Sequence, residues 1–166
     1  MSLVVVHAGE SATSRTRALG VAALEIAGGG QLVELSQLSS DGLLGRVADP
    51  ELDAAVALAA GASTLVLASP VYRATVSGPM KAFLDRFPTR GLAGTAVVLA
   101  ATAAAPQHYL ALDTGGRALV ASLDGWTVPT VVYATPADIV DGVVSAAVRD
   151  RLARALDEAA RVTGGG

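Results

Sequence analysis

The residues best suited to hold a ligand lie in a loop that follows the short apolar run Thr64–Ala68. The run is too short and too β-branched for a helix, so it predicts a buried strand that ends before Pro70. Ser77 is a good N-cap for a helix that returns from the loop. In an open parallel sheet, ligands bind at the edge where such strand-to-helix loops leave. Pro70 stiffens this loop and Tyr72 gives it a flat aromatic face, which suits a planar ring.

A second group of candidate residues follows the first predicted strand, at the start of the next helical pattern. Hydroxyl groups, backbone N–H groups and a cation at a helix N-terminus form an anion-binding site. The same hydroxyl groups also cap helices, and this structural role is an equal alternative on pattern alone. The residues concerned are Ser11, Ser14, Arg15 and Thr16. His7, at the end of the preceding strand, is predicted to be structural rather than an acid or base.

These loops are positioned by apolar runs that alternate with helical patterns, which is typical of βα units. The predicted strands cover residues 3–6, 31–35, 65–68, 95–100 and 128–133. The predicted helices cover residues 15–27, 50–60, 77–87, 107–123 and 138–162, and residue 141 is an alternative start of the last one. Strict alternation predicts an α/β fold with a doubly wound five-stranded parallel sheet in the order 2-1-3-4-5.

That order brings the ends of the first, third and fourth strands side by side. The loop after the fourth strand contains Thr102, Ala103, Ala104 and Ala105. Three loops of small, hydroxyl and turn residues therefore converge at one edge and predict a single site. No repeat, linker or second domain is visible, so residues 1–163 are predicted to form one domain and the glycine tail 164–166 to be disordered.

The composition excludes several classes of function. The chain has 166 residues, a formal net charge of −3 and no basic cluster, which argues against nucleic-acid binding. It has no cysteine and only two histidines far apart, which argues against a metal site. We see no export signal and no apolar run long enough to span a membrane, so we expect a cytoplasmic protein.

Charged residues make up only 16% of the chain and hydrophobic residues 52%, so we expect subunit contacts to bury part of the surface. Dimers are the commonest closed oligomers, and we expect a homodimer at least, with a homotetramer as the alternative. The predicted contact faces lie on the third and fourth predicted helices. Their apolar residues are Met80, Phe83, Leu84, Phe87, Tyr109, Leu110 and Leu112.

The loop after the third strand also carries a family resemblance. Ser69-Pro70-Val71-Tyr72, followed by Ser77-Gly78, Lys81 and Leu84-Asp85, resembles the flavin-binding loop of the NADPH-dependent FMN reductases. These proteins are flavodoxin-like and include flavin reductases that supply alkanesulfonate monooxygenases. The resemblance implies a flavodoxin-like fold, an oxidoreductase that transfers hydride from NADPH or NADH to FMN, and a flavin-dependent monooxygenase as a partner. It also implies chemistry borne by the flavin, with no catalytic side chain and no metal.

The resemblance further implies which residues bind the cofactor. Ser-x-x-Ser-Arg-Thr resembles the phosphate-binding loop of the family, and in the family the loop after the third strand wraps the flavin ring mostly with backbone groups. The implied cofactor-binding residues are Ser11, Ser14, Arg15, Thr16, Ser69, Pro70, Val71, Tyr72, Arg73, Thr102, Ala103, Ala104 and Ala105.

The chain departs from the family pattern at two places. Glu10 stands in the phosphate loop where the family has Gly-Ser-Pro, and Ala103 and Ala104 replace two glycines that lie under the flavin. A methyl group there disfavours positive φ angles and fills space near the ring. Two alternatives to the FMN reductase therefore stay open. One is a quinone, azo or nitro reductase that keeps FMN bound, and the other is a flavodoxin-fold binding subunit that has lost flavin binding.

Overall fold

The computed structural model describes residues 2–164, and a parallel sheet forms its centre. The sheet has the order β2-β1-β3-β5-β6, while β4 pairs with β3 and β7 pairs with β5. This arrangement confirms the predicted order 2-1-3-4-5, because β5 is the fourth predicted strand and β6 and β7 together form the fifth. The strands are β1 (Leu3–His7), β2 (Gln31–Glu34), β3 (Thr64–Tyr72), β4 (Thr75–Val76), β5 (Ala96–Thr102), β6 (Trp126–Thr127) and β7 (Val132–Ala134).

Helices cover both faces of the sheet, and two of them match their predicted bounds. The helix α1 begins after its N-cap Ser14 and ends at Gly28, whose φ of 75° gives the left-handed conformation that closes helices. The helix α3 begins with proline in its first turn. The helices are α1 (Arg15–Ala27), α2 (Ser40–Leu43), α3 (Pro50–Ala60), α4 (Gly78–Leu84), α5 (Arg117–Ser122) and α6 (Ala146–Thr163). Among residues 2–164, no helix is both long and apolar enough to cross a membrane.

Alternate residues of the central strands pack into two apolar layers, one on each face of the sheet. In β1, Val4 and Val6 pack under α3 and α4, whereas Val5 packs under α1 and α6. This alternation follows from the two-residue period of a strand. Five residues predicted for subunit contact belong to the first layer and cover the sheet instead: Met80, Phe83, Leu84, Phe87 and Leu112. Tyr109 and Leu110 remain 45% and 52% exposed.

The third strand is longer than predicted, and the expected loop is a hairpin. Pro70 pairs with Thr102 of β5, and Val71 and Tyr72 then pair antiparallel with β4. The carbonyl of Ala68 accepts a hydrogen bond from Ala8, so Pro70, two residues on, faces the same side beyond the end of β1. Its missing N–H therefore costs no ladder hydrogen bond, and the strand continues through the proline.

The fifth predicted strand is broken at Pro129, which separates β6 from β7. Side chains satisfy the backbone groups that leave the ladder. Arg117 donates to the carbonyls of Val128 and Pro129, at 3.0 and 2.7 Å, and Glu158 accepts from the backbone N–H of Thr130 at 2.8 Å. The prediction of one continuous strand over 128–133 was wrong, because a proline cannot donate to the ladder.

Three predicted helices also need correction. The segment 77–87 is helical only as α4, and the segment 107–123 divides into a 3₁₀ turn, a π-helical turn that contains the Gly115-Gly116 pair, and α5. The last helix begins at residue 146 rather than 138. Before it lies a two-stranded hairpin, β8 (Ile139–Val140) and β9 (Val143–Val144). Its turn, Asp141-Gly142, has φ angles of 49° and 79°, the geometry for which Asp-Gly is a preferred sequence.

The predicted glycine tail lies only partly within the described residues. Gly164 is the C-cap of α6, while Gly165 and Gly166 lie outside the described residues. The assignment of residues 1–163 to one domain stays a prediction.

The turn between β3 and β4 places two non-glycine residues in the left-handed region: Arg73 at φ 52° and Ala74 at φ 61°. This conformation costs an L-residue about 1–2 kcal/mol. A glycine avoids that steric cost but loses more backbone entropy on folding, so the net gain from a glycine is roughly half of it. We expect Ala74→Gly to raise the free energy of unfolding by about 0.5–1 kcal/mol, measured by urea denaturation. The matched control is Ala54→Gly on the exposed face of α3, which should lower it by about 1 kcal/mol. Equal losses in both variants would contradict the strain at Ala74.

Candidate functional site

The loops that follow β1, β3 and β5 meet at one edge of the sheet and line a cleft of about 330 Å³. Most of the predicted site residues lie in its wall: Ser14, Arg15, Thr16, Pro70, Val71, Tyr72, Thr102, Ala103 and Ala104. The convergence of three loops expected from the strand order is therefore present in the structure.

The loop after β1 is packed tightly against the start of α1. Ser14 accepts a hydrogen bond from the backbone N–H of Thr16 at 3.2 Å and thereby caps the helix. Gly9 approaches so closely that a Cβ atom on it would lie 2.3 Å from Ser14 Oγ. Only glycine fits there, and this close contact fixes the loop that surrounds the N-terminus of α1.

Two residues at the start of α1 connect it to other parts of the site. The buried hydroxyl of Thr16 lies 2.7 Å from the hydroxyl of Thr102, which joins α1 to the loop after β5. Arg15 donates from Nε to the carbonyl of Ile139 in β8 at 3.3 Å. That bond uses one of the five N–H donors of the guanidinium, so the others can serve a ligand beside the helix N-terminus.

The hairpin of β3 and β4 forms the second wall and is supported from below by Ser69. The Ser69 hydroxyl is buried and accepts from the backbone N–H of Ser77 at 2.9 Å. It also lies 2.9 Å from the carbonyl of Pro70 and 3.2 Å from the Ser77 hydroxyl. Tyr72 stands at the rim of the cleft, with half of its surface exposed.

The loop after β5 is held in shape by β7. Ala103 donates its backbone N–H to the carbonyl of Ala134 at 3.2 Å, and the Tyr133 hydroxyl donates to the carbonyl of Ala105. Burial raises the pKa of the Tyr133 phenol, which keeps the hydroxyl protonated as a donor. Neither Ala103 nor Ala104 is among the non-glycine residues with positive φ in the described chain. The two alanines therefore occupy the loop without the backbone strain that the family's glycines would avoid.

Four predicted site residues lie outside the wall of the cleft. Ser11 is exposed and supports the loop through its carbonyl, which accepts from Ser14 at 3.0 Å. Ser69 lies beneath the hairpin, Arg73 lies in its turn, and Ala105 binds Tyr133 through its carbonyl.

The wall also contains residues outside the predicted set: Gly9, Glu10, His108 and Pro136. Pro136 follows Thr135, whose backbone N–H and hydroxyl both bind Asp138, at 2.8 and 2.7 Å. These two hydrogen bonds lower the pKa of Asp138. The signal for this turn was present in the sequence, since Thr-Pro-Ala-Asp has the spacing of a capping box.

The donor set fits a phosphorylated planar heterocycle such as FMN. A helix N-terminus with Arg15 beside it suits a phosphate group, while Val71, Tyr72 and the alanine loop offer apolar and backbone surface to a ring. His108 Nδ1 is a buried polar atom without a hydrogen-bond partner among residues 2–164, and it lies in a residue of the same wall.

Comparison with known proteins agrees with this geometry. The model of the NADPH-dependent FMN reductase family matches residues 1–138. The chain is 35% identical over 115 residues to the NADH-dependent FMN reductase SfnF of Pseudomonas fluorescens, covering 69% of this chain and 62% of the relative. It is 36% identical over 119 residues to an FMN reductase (NADPH) of Pseudomonas aeruginosa, covering 71% and 64%. It thus spans less than two thirds of these two relatives, but it covers 93% of the NADH-dependent FMN reductase SfnE of Pseudomonas putida, with 34% identity over 99% of its own length.

Solved structures agree as well. An apo NADH:FMN oxidoreductase superimposes with a TM-score of 0.85 and 30% identity, covering 95% of this chain and 87% of the other. An oxidoreductase of Corynebacterium diphtheriae gives a TM-score of 0.82 and 31% identity, covering 100% and 98%. A flavodoxin of Agrobacterium tumefaciens, 18% identical with a TM-score of 0.68 over 96% and 97% of the two chains, shows that the fold is flavodoxin-like. The chain belongs to the NADPH-dependent FMN reductase family.

Proposed function

We propose that this chain is an NAD(P)H-dependent FMN reductase. The observation that carries the proposal is the cleft, in which a helix N-terminus with an arginine, a stiff hairpin and a fixed alanine loop meet in a chain of this family. When bound, FMN supplies the ring that accepts hydride from the nicotinamide nucleotide. The cytoplasmic location expected from the sequence is part of the proposal.

The N-terminus of α1 would hold the FMN phosphate. Its first backbone N–H groups have no acceptor within the helix, and the helix dipole adds positive potential there. Arg15 lies in this first turn, and its bond to Ile139 orients the guanidinium. Thr16 and Ser14 fix the turn through their own hydrogen bonds, so they act mainly as supports.

The hairpin and the alanine loop would hold the ring. Both are rigid because their backbones are bonded to the sheet: the hairpin through Ser69 and Ser77, the loop through Ala134 and Tyr133. A reaction that holds two rings face to face needs fixed walls and exclusion of water more than it needs an acid or base.

Glu10 favours exchangeable FMN over a permanently bound cofactor. It is exposed and lines the same cleft as Arg15. A carboxylate about 5 Å from a phosphate would repel it by about 3 kcal/mol per unit charge at an effective dielectric constant near 20, and salt weakens this repulsion. We propose that FMN binds as a substrate, and that the reduced flavin passes to a partner such as a flavin-dependent monooxygenase.

We also propose that the protein is a homodimer. Tyr109 and Leu110 are exposed apolar residues next to His108 of the cleft, so a contact there would place the sites near the subunit boundary. A homotetramer remains the alternative.

The proposed activity is tested by mixing the purified protein with NADH or NADPH, with and without FMN. We expect the nicotinamide absorbance to fall only when FMN is present, because the isolated chain offers no other hydride acceptor. A protein that neither oxidises the nucleotide nor quenches flavin fluorescence on titration would support the flavodoxin-fold binding subunit. A preparation that keeps FMN through purification and reduces quinones, azo or nitro compounds would support the other alternative.

Arg15→Ala should weaken FMN binding by about 1.5–3 kcal/mol, the range for a hydrogen bond to a charged group. Fluorescence titration with FMN measures this, and riboflavin, which lacks the phosphate, should bind both proteins equally. The control is Arg161→Ala in the last turn of α6, which removes the same charge far along the chain and should leave both affinities unchanged. Unchanged FMN affinity in Arg15→Ala would contradict the phosphate assignment.

The dimer is tested by light scattering at micromolar concentration. We expect a mass of about twice the 16.5 kDa chain, falling to the chain mass in Leu110→Glu, since a buried carboxylate opposes association. Val47→Glu replaces another exposed apolar residue and should leave the mass unchanged. A wild-type mass near 16.5 kDa would refute the proposal, and a fourfold mass would support the tetramer.

A further inference from the structure

His7 is a buried imidazole that the proposed chemistry does not use. It ends β1 with 1% of its surface exposed. Its Nδ1 atom lies 3.2 Å from the backbone nitrogen of Gly9, and its Nε2 atom lies 2.9 Å from Glu34 Oε1 in β2. Arg17 of α1 donates to the same carboxylate oxygen at 2.7 Å. Both ring nitrogens of His7 therefore have partners, one of them in the loop of the candidate phosphate site.

These two partners determine the state of the ring. The backbone N–H of Gly9 can only donate, so Nδ1 must carry a lone pair. The remaining proton then lies on Nε2, which donates to Glu34. The contact with Gly9 thus requires a neutral His7 with one specific tautomer. A proton added at Nδ1 would face the Gly9 N–H and break that hydrogen bond.

Gly9 transmits this constraint to the N-terminus of α1. A Cβ atom at Gly9 would lie 2.3 Å from Ser14 Oγ and 3.3 Å from His7 Nδ1, so the glycine lies directly between the imidazole and the helix cap. Ser14 in turn caps α1 through Thr16. The chain of contacts runs from His7 through Gly9 and Ser14 to the N–H groups that would face a phosphate.

We propose that His7 is a positioning residue for the phosphate loop: neutral His7 holds Gly9 in place, and protonation of His7 weakens FMN binding. This proposal rests on the proposed function of the cleft. It assigns a role in ligand affinity to a residue that does not itself line the cleft.

The pH dependence follows from the groups that face the imidazole. Burial lowers the pKa of His7, which outweighs the hydrogen bond and charge of Glu34 that raise it, and Arg17 lowers it further. The neighbouring residue of β3 is Ala68, and Gly20 of α1 also lies against His7, since a Cβ atom on it would be 3.9 Å from His7 Cβ; neither residue is charged. A lowered pKa means that the folded state disfavours the protonated ring. The contribution of His7 to stability is thus complete above the ordinary histidine pKa of about 6.5, and is lost as the pH falls from there through the lowered value.

Two substitutions separate the two ring nitrogens. An asparagine places an amide oxygen near the Nδ1 position, where it can accept from Gly9, but it does not titrate. A glutamine reaches toward the Nε2 position and Glu34, but leaves Gly9 without its acceptor. At about pH 8, where His7 is neutral, we expect His7→Asn to bind FMN like the wild type and His7→Gln to bind about fivefold more weakly, the effect of one hydrogen bond.

At each pH, the FMN affinity of the wild type is compared with that of His7→Asn as a ratio. The FMN phosphate has its own pKa near 6, so affinity falls on acidification in every variant. Across the pH range in which the His7 ring protonates, followed by NMR of the ring, we expect the wild type to lose about fivefold more affinity than His7→Asn, because only the wild type also loses the Gly9 contact. Riboflavin, without a phosphate, should bind all three proteins alike. Equal FMN profiles for wild type and His7→Asn, wild-type affinity in His7→Gln, or equal effects on riboflavin would overturn the proposal.

A second measurement is independent of flavin. The backbone amide resonance of Gly9 in the ligand-free protein should shift with the same midpoint as the His7 ring, and this shift should be absent in His7→Asn. A Gly9 amide resonance that does not shift when His7 is protonated would contradict the proposed hydrogen bond between Gly9 and His7. If the wild type bound no FMN while Gly9 still followed His7, the proposed function would fail but the loop contact would stand.

Discussion

The site depends on the parallel pairing of β1, β3 and β5. Parallel strands end at the same edge, and the register places His7 beside Ala68 and Ala68 beside Ala100. The three chain segments that leave these strands therefore start side by side, each one strand spacing from its neighbour, whatever their sequences. Because β1 stops at His7 while β3 and β5 continue, the loop that carries Ser14 and Arg15 has space beyond the end of β1. The hairpin of β3 and β4 lies beside this loop and forms one wall of the cleft.

Neutral side-chain and backbone hydrogen bonds hold the walls of the cleft. Thr16 joins α1 to Thr102, and Tyr133 joins β7 to the alanine loop. Such bonds contribute only about 1 kcal/mol each to stability, but they restrict the conformations of the loops. Rigid walls reduce the entropy cost of ordering a ligand. The proposed role of His7 belongs to the same pattern, since it acts on the ligand through Gly9.

Periodicity and capping residues were enough to predict the sheet order and both bounds of α1 and α3, because these elements follow local rules. The two hairpins were missed for different reasons. The turn Arg73-Ala74 lacks the Asn-Gly or Asp-Gly signature, so no local signal marks the end of β3. The turn Asp141-Gly142 has that signature, but the helical pattern that follows was extended over it. The capping box at Thr135 can be recognised in the sequence, but the place of Pro136 in the wall of the cleft cannot, because it depends on how separate loops meet. The contacts of Arg117 and Glu158 around Pro129 likewise join separate elements of the chain.

The two departures from the family pattern have different physical weight. Ala103 and Ala104 replace glycines, yet neither needs a left-handed backbone here, so the cost of the change is limited to the volume of two methyl groups. Alanine also restricts the unfolded loop more than glycine does, which favours the ordered wall. Under the proposed function, Glu10 would act through charge, and its effect would grow as salt decreases. The exposed carboxylate of Glu10 in the wall of the cleft would then favour a flavin that binds and is released again.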